Sequence, residues 1–228
     1  MGKLFGVYPY TFQDKGLLQN ALTHSSYANE NRDKGALSNE RLEFLGDSVL
    51  GLICADAIYS EYRTLPEGDL TKLRAAIVCE GSLYEFAMSI GLGEHLLLGR
   101  GERAGGGSRR PSVLADAVEA VIAALYLDGG MEAARGFILD FIRSKAEETI
   151  RCGRAVDYKT ALQEIVQKNH EETLEYRLRE ERGPDHDKSF VIELLINSNV
   201  IATGEGKSKK QAEQAAARAA LALMGEQN

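Results

Sequence analysis

The chain has 228 residues, 44% hydrophobic and 27% charged, which is enough apolar material for one large core or two small ones and too much for a disordered chain. Lys and Arg number 27 against 34 Asp and Glu, a net charge of −7 that argues against a uniformly basic nucleic-acid binder. Three scattered cysteines, Cys54, Cys79 and Cys152, have no C-x-x-C spacing; they argue against a disulfide framework or zinc site and favour a reducing cytoplasm.

The start of the chain lacks the apolar core of a signal peptide, and Gly6 stands where a myristoylation motif needs Ser or Thr. No run of ~18 apolar residues occurs, so no membrane span is expected. Up to about Lys145 the apolar residues recur at helical spacing, over residues 41–59, 69–90 and 112–127. Gly129-Gly130 stops the last of these, and Asp69 reads as the N-cap of the second. In the first, Leu42, Leu45, Val49, Leu52 and Ile53 form the expected core stripe. The pattern changes near residues 151–156, where Gly153 breaks a charged stretch. A helical segment, 158–168, precedes three strand-like runs, 174–179, 190–196 and 200–203, with Asn197-Ser198-Asn199 as a hairpin turn. An Ala-rich helix over 209–224 closes the order α-β-β-β-α. The expected architecture is an all-α domain over 1–150, a linker over 151–156 and a small α+β domain over 157–228. Charge does not separate the halves: residues 1–155 hold 17 basic and 21 acidic groups, residues 156–228 hold 10 and 13.

Between Val113 and Leu127 the only charged residues are Asp116 and Glu119. A helix apolar on all sides is buried, and an unpartnered carboxylate inside it costs several kcal/mol. The two acids lie about 60° apart on one side of the helix, next to the small residues Ala120 and Ala123. Either Arg or Lys partners or a shared cation would satisfy them. A second acidic stripe favours the cation. Glu43 and Asp47 are an i, i+4 pair with Glu40 on the same flank, away from the core stripe, and like charges at this spacing repel. Four carboxylates with no His or Cys suit Mg²⁺ or Mn²⁺ rather than Zn²⁺, and make metal-assisted phosphodiester hydrolysis the natural chemistry.

The run Asn39-Glu40-Arg41-Leu42-Glu43-Phe44-Leu45-Gly46-Asp47-Ser48-Val49-Leu50 resembles the signature segment of the ribonuclease III family. Leu114-Ala115-Asp116-Ala117-Val118-Glu119-Ala120 is similar to the family's second acidic motif, and Ala21-Leu22-Thr23-His24-Ser25-Ser26-Tyr27 to an earlier segment. The resemblance implies that Glu43, Asp47, Asp116 and Glu119 bind metal, with Asp47 and Glu119 the pair that matters most for catalysis. It gives Glu67, in Leu65-Pro66-Glu67-Gly68-Asp69, a place near the entrance of the cleavage valley, although a solvated turn residue explains it as well. Glu40 is a candidate support that a bond to an Arg would equally occupy, and His24 is expected to be a buried structural histidine. Phe44 lies off the core stripe, so on a monomer it would be exposed. In the family a phenylalanine here plugs into a partner subunit, which implies a two-fold homodimer; the alternative is a Phe covered by a neighbouring loop of its own chain.

Residues 157–223 resemble a double-stranded-RNA-binding domain. Ser208-Lys209-Lys210-Gln211 fits a capping box, placing Lys209 and Lys210 in the first helical turn with Lys207 just outside. Cations are disfavoured there, and a bound phosphate would relieve the conflict. Thr160, Gln163 and Gln167 form an uncharged polar stripe suited to the minor groove of A-form RNA. By resemblance this helix, the loop with Pro184-Asp185-His186 and the Lys-rich helix start are the contact regions, carrying Thr160, Gln163, Gln167, Pro184, His186, Lys207, Lys209 and Lys210. Asp185, Asp187 and the domain's acidic balance depart from a strongly basic binder, so modest, salt-sensitive affinity is expected.

The implied protein is a cytoplasmic, Mg²⁺-dependent endoribonuclease for double-stranded RNA, without a small-molecule organic cofactor or a membrane partner. The resemblance adds 5′-phosphate and 3′-hydroxyl products with short 3′ overhangs, and ribosomal RNA precursors and structured transcripts as substrates. Two other readings compete. A non-catalytic RNA-binding protein of the same fold would be favoured by loss of an acidic ligand, yet all four are present. Another helical metal-dependent phosphohydrolase, acting on nucleotides or lipids, would leave the α-β-β-β-α unit unexplained and would often use His–Asp ligation.

Overall fold

In the computed structural model, residues 4–152, 158–167, 172–184 and 188–224 are described, the side chains of residues 164 and 167 excepted. Two compact units result, Met1–Glu61 with Arg74–Glu147, and Tyr62–Leu73 with Glu148–Asn228. Among the described residues no helix is long and apolar enough to cross a membrane.

The apolar run around Asp116 becomes the axis of the first unit. It lies in α7 (Pro111–Arg151), where Leu114, Ala117, Val118 and every residue from 120 to 125 are 0% exposed. Each large aliphatic side chain buried in this way stabilises the fold by about 1.5–3 kcal/mol. The expected stop at Gly129-Gly130 is a break within a longer helical run: Gly130 takes φ 75° and ψ −172°, a conformation open to glycine without strain. The N-terminal segment is tied down at this break. Tyr10 donates its hydroxyl to Asp128 Oδ2 at 2.8 Å, and the backbone N–H groups of Gln13 and Asp14 donate to the same carboxylate. These bonds hold the Asp128 carboxyl below its ordinary pKa.

The first unit also contains α1 (Lys15–Ala21), α2 (Ser25–Glu30), α3 (Glu40–Glu61), α5 (Glu80–Ser89) and α6 (Arg100–Ala104). On α3 the buried face is Leu42, Gly46, Val49, Leu50, Ile53, Cys54, Ala57 and Ile58. The expected stripe is therefore rotated: Leu45 is half-buried and Leu52 is 58% exposed. At about 100° per residue, Leu50, Cys54 and Ala57 complete the inward face, leaving Leu52 outside with Phe44 and Tyr59. The single helix expected over 69–90 is two, α4 (Glu67–Ile77) and α5, separated at an extended Cys79. No side chain caps α5, so the sequence carries no signal for this break. Asp69 is not an N-cap. The helix opens earlier, with the N–H groups of Asp69 and Leu70 donating to the Pro66 carbonyl, because proline is pre-shaped for a first turn. Asp69 is instead buried within that turn and pairs with Lys72 at 3.0 Å.

The second unit holds α8 (Tyr158–Gln167), β1 (Leu174–Arg182), β2 (Ser189–Ile196), β3 (Asn199–Gly206) and α9 (Lys209–Leu223). The strands form an antiparallel sheet in the order β1-β2-β3, interrupted between Leu178 and Glu180 and between Leu194 and Leu195. The β2–β3 hairpin turns on two residues, Asn197 and Ser198, both at positive φ, a twist that matches paired strands. Small residues let α9 lie close to the sheet: Ala212, Ala216, Ala217 and Ala220 are 0% exposed, and a Cβ on Gly204 would overlap the Ala212 and Ala216 backbone. Leu162 and Val166 of α8 are buried as expected, while Ile165 is half-buried. Residues 153–157, which include most of the expected linker, lie outside the described residues.

Candidate active site and RNA-facing surface

The two acidic stripes meet because α3 lacks a side chain at one position. Gly46 faces the backbone of Glu119, and a Cβ there would overlap the Glu119 carbonyl oxygen. With the helices this close, carboxylate oxygens of Glu43, Asp116 and Glu119 lie within 4.8 Å of one another. All three are half-buried. Asp47 is exposed and outside that triangle, yet its charge is the strongest carboxylate influence on Glu119. Among the described residues none of the four acids forms an ion pair with Lys or Arg, so the salt-bridge arrangement is not the one these acids adopt there.

The electrostatics are those of crowded, partly desolvated acids. Burial, then the charges of Asp47, Asp116 and Glu43, push Glu119 up to about 8. Burial followed by Asp116, Glu40 and Asp47 raises Glu43, and burial followed by Glu80 raises Asp116. A divalent cation at the triangle would remove the repulsion and satisfy hard oxygen ligands, so the residues present fit such an ion.

The supporting acids are placed differently. Glu40 accepts the Ser38 hydroxyl at 2.8 Å rather than an Arg, and contributes charge to Glu43. Glu67 is exposed in the first turn of α4 and accepts the Thr71 hydroxyl at 2.9 Å. His24 is half-buried rather than buried. It caps α2, its Nδ1 accepting from the Ser26 N–H at 3.2 Å, and it pulls Asp116 downward. The acid absent from the sequence reading is Glu80. Reading 69–90 as one helix hid its position at the start of α5, near Asp116.

Phe44 is 79% exposed and shares the outer side of α3 with Leu52 (58%) and Tyr59 (74%). The three span an arc of about 80° at helical geometry, an apolar ridge with the exposed Ser48 between Phe44 and Leu52.

In the second unit Ser208 caps α9 as expected, accepting the Gln211 N–H at 3.2 Å. The return bond goes to the residue before it: Lys207 N–H donates to Gln211 Oε1 at 3.0 Å. Lys207, Lys209 and Lys210 are exposed at this helix start, and Thr160, Gln163 and Pro184 are exposed on α8 and after β1. Lys209 Nζ lies 3.6 Å from Glu181 and 5.8 Å from the centre of the Phe190 ring. The Gln167 side chain and residues 185–187, with His186, lie outside the described residues.

Residues 14–146 match the family described as Ribonuclease-III-like, and residues 158–224 the Double-stranded RNA binding motif. Fold and acidic site thus define a helical nuclease domain followed by a duplex-RNA-binding domain. A Ribonuclease 3 of Caldanaerobacter subterraneus subsp. tengcongensis is 51% identical over 216 residues, spanning 95% of this chain and 94% of that one. A Ribonuclease 3 of Bacillus cereus is 48% identical over 217 residues, spanning 95% and 88%. The chain belongs to the ribonuclease III family and is an endoribonuclease that acts on double-stranded RNA. The nuclease domain of Campylobacter jejuni ribonuclease III superposes with a TM-score of 0.54 at 44% identity, over 59% of this chain and 88% of that one. A second structure of that domain, concerned with flexibility in a region involved in dimer formation, gives 0.55 at 43% identity, over 60% and 91%. Family membership removes the non-catalytic and small-molecule phosphohydrolase readings.

Proposed function

We propose that Glu43, Asp47, Asp116 and Glu119 hold Mg²⁺, with Mn²⁺ able to substitute, and that Asp47 and Glu119 are the catalytic pair. The observation that carries this is the triangle of carboxylates within 4.8 Å, with no lysine or arginine paired to it among the described residues. A bound divalent ion supplies a Lewis acid that activates water and stabilises charge on the phosphate oxygens. With a divalent ion bound, the half-buried Glu119 would be held as its carboxylate and serve as a ligand, while the exposed Asp47 lies on the open side of the site. Glu40, whose charge raises Glu43, and Glu67 are the secondary acids of this reading.

The products carry 5′-phosphate and 3′-hydroxyl ends with short 3′ overhangs, and the substrates are ribosomal RNA precursors and structured messenger RNAs in the cytoplasm. Such overhangs need two sites, one per strand, and the Phe44 ridge is the surface that would pair two copies. The nuclease domain occupies residues 1–150 and the RNA reader residues 157–228, joined by 151–156. Thr160, Gln163, Gln167, Pro184, His186, Lys207, Lys209 and Lys210 contact the duplex, the lysines through phosphates. Incubating the protein with an end-labelled RNA hairpin, with and without Mg²⁺, tests the reading. Discrete duplex cuts only with the metal are expected; cutting at equal rate in EDTA would overturn the metal assignment.

A further inference from the structure

The lysine-rich start of α9 carries a carboxylate of the same chain. Glu181, near the end of β1, stands opposite Phe190 of β2, which in turn stands opposite Gly206 of β3. Residues directly paired across an antiparallel sheet share a face. The Phe190 ring therefore forms a floor beneath Lys209 Nζ, 5.8 Å from its centre, with the Glu181 carboxylate beside it at 3.6 Å. The other oxygen of Glu181 lies 3.8 Å from Lys188 Nζ, just before β2. Both separations exceed hydrogen-bonding distance, and all three side chains are well exposed, at 58% for Lys209 and 39% for Lys188 and Glu181. These are loose ion pairs in water, the kind measured at about 0.2–1 kcal/mol.

We propose that Glu181 is an internal competitor of RNA phosphate for Lys209. This rests on the reading of Lys209 as a phosphate contact. A carboxylate and a phosphate oxygen offer the ammonium group the same anionic chemistry, and two anions at one lysine repel. Duplex binding must therefore loosen Lys209 from Glu181 or accept the repulsion. Either way, part of the lysine's attraction is spent before RNA arrives. The aromatic floor keeps Lys209 in place while its partner changes from carboxylate to phosphate. The arrangement lowers the affinity available at this contact.

The test uses the full chain in EDTA, which prevents metal-dependent cleavage, and a fluorescent RNA duplex longer than the ~16 base pairs one such domain spans. Equilibrium anisotropy is measured for wild type, Glu181→Gln, Lys209→Ala and the double variant. Glu181→Gln is expected to bind about 2- to 5-fold tighter, Lys209→Ala weaker, and the gain from Glu181→Gln is expected to vanish in the Lys209→Ala background. Unchanged or weaker binding by Glu181→Gln, with Lys209→Ala still weakened, would overturn the competitor role and leave the phosphate contact standing. A full gain persisting in the double variant would also overturn it, showing that Glu181 acts by general repulsion. If Lys209→Ala binds as wild type, the phosphate contact itself fails and the competitor with it.

Discussion

Gly46 faces the carbonyl of Glu119 with no room for a Cβ, and that close approach sets how near the acids of α3 come to those of α7. Nothing larger than hydrogen fits between the two helices at this point. A residue that brings the acids together therefore bears no functional group.

Gly46→Ala is expected to force α3 away from α7 and destabilise the protein by about 1–3 kcal/mol, the usual cost of overpacking. Cleavage should fall further than stability, because the Glu43 and Asp116 carboxylates separate. Thermal unfolding and hairpin cleavage at a temperature where the variant is folded check this. Wild-type cleavage by a folded Gly46→Ala protein would contradict the account.

Glu119→Gln separates charge from shape. Cleavage should drop on the order of 10³-fold or more while duplex binding in EDTA is retained. In metal-free buffer the same change should stabilise the protein at pH 8. The native carboxyl is raised from the ordinary 4.5 to about 8, so the native state favours its protonated form. The stability this confers is complete below pH 4.5 and is lost as pH rises through about 8. Wild-type Tm should therefore fall relative to Glu119→Gln across that window, and Mg²⁺ should restore it. Parallel Tm profiles for the two proteins would refute the electrostatic argument.

Replacing Lys209 and Lys210 together with Ala should weaken duplex binding at moderate salt. The slope of log affinity against log salt should become shallower by roughly 1 to 2, one phosphate contact per lysine. Titrations at several salt concentrations read this directly, and an unaltered slope would count against both contacts.

A charge on the α3 ridge should disfavour pairing of two copies. Phe44→Asp is expected to weaken self-association by about 10²-fold, since the burial of an unpaired carboxylate costs several kcal/mol. Sedimentation velocity should show the variant as monomer where wild type is dimer. A variant that stays dimeric would remove Phe44 from the interface.

The sequence made the chemistry legible more readily than the packing. Asp116 and Glu119 stood out because every neighbour from Val113 to Leu127 is uncharged, and the structure buries that run almost completely. The α-β-β-β-α order and the Ser208 cap followed from period and capping chemistry, which are local. What escaped was set by distant contacts. Leu52 looks like core by spacing alone and is turned outward by the way α3 meets its neighbours. The break at Cys79 leaves no capping signal, and it hid Glu80. Gly46 gave no sign that a carbonyl from α7 would occupy the space beside it, and Glu181 gave none that its strand would bring it beside Lys209.

The most direct measurement is anomalous scattering from a crystal soaked in Mn²⁺. The account predicts a peak bounded by the carboxylates of Glu43, Asp116 and Glu119, with Asp47 turned toward it. Those carboxylates lying apart, or neutralised by an arginine with no ion between them, would contradict it.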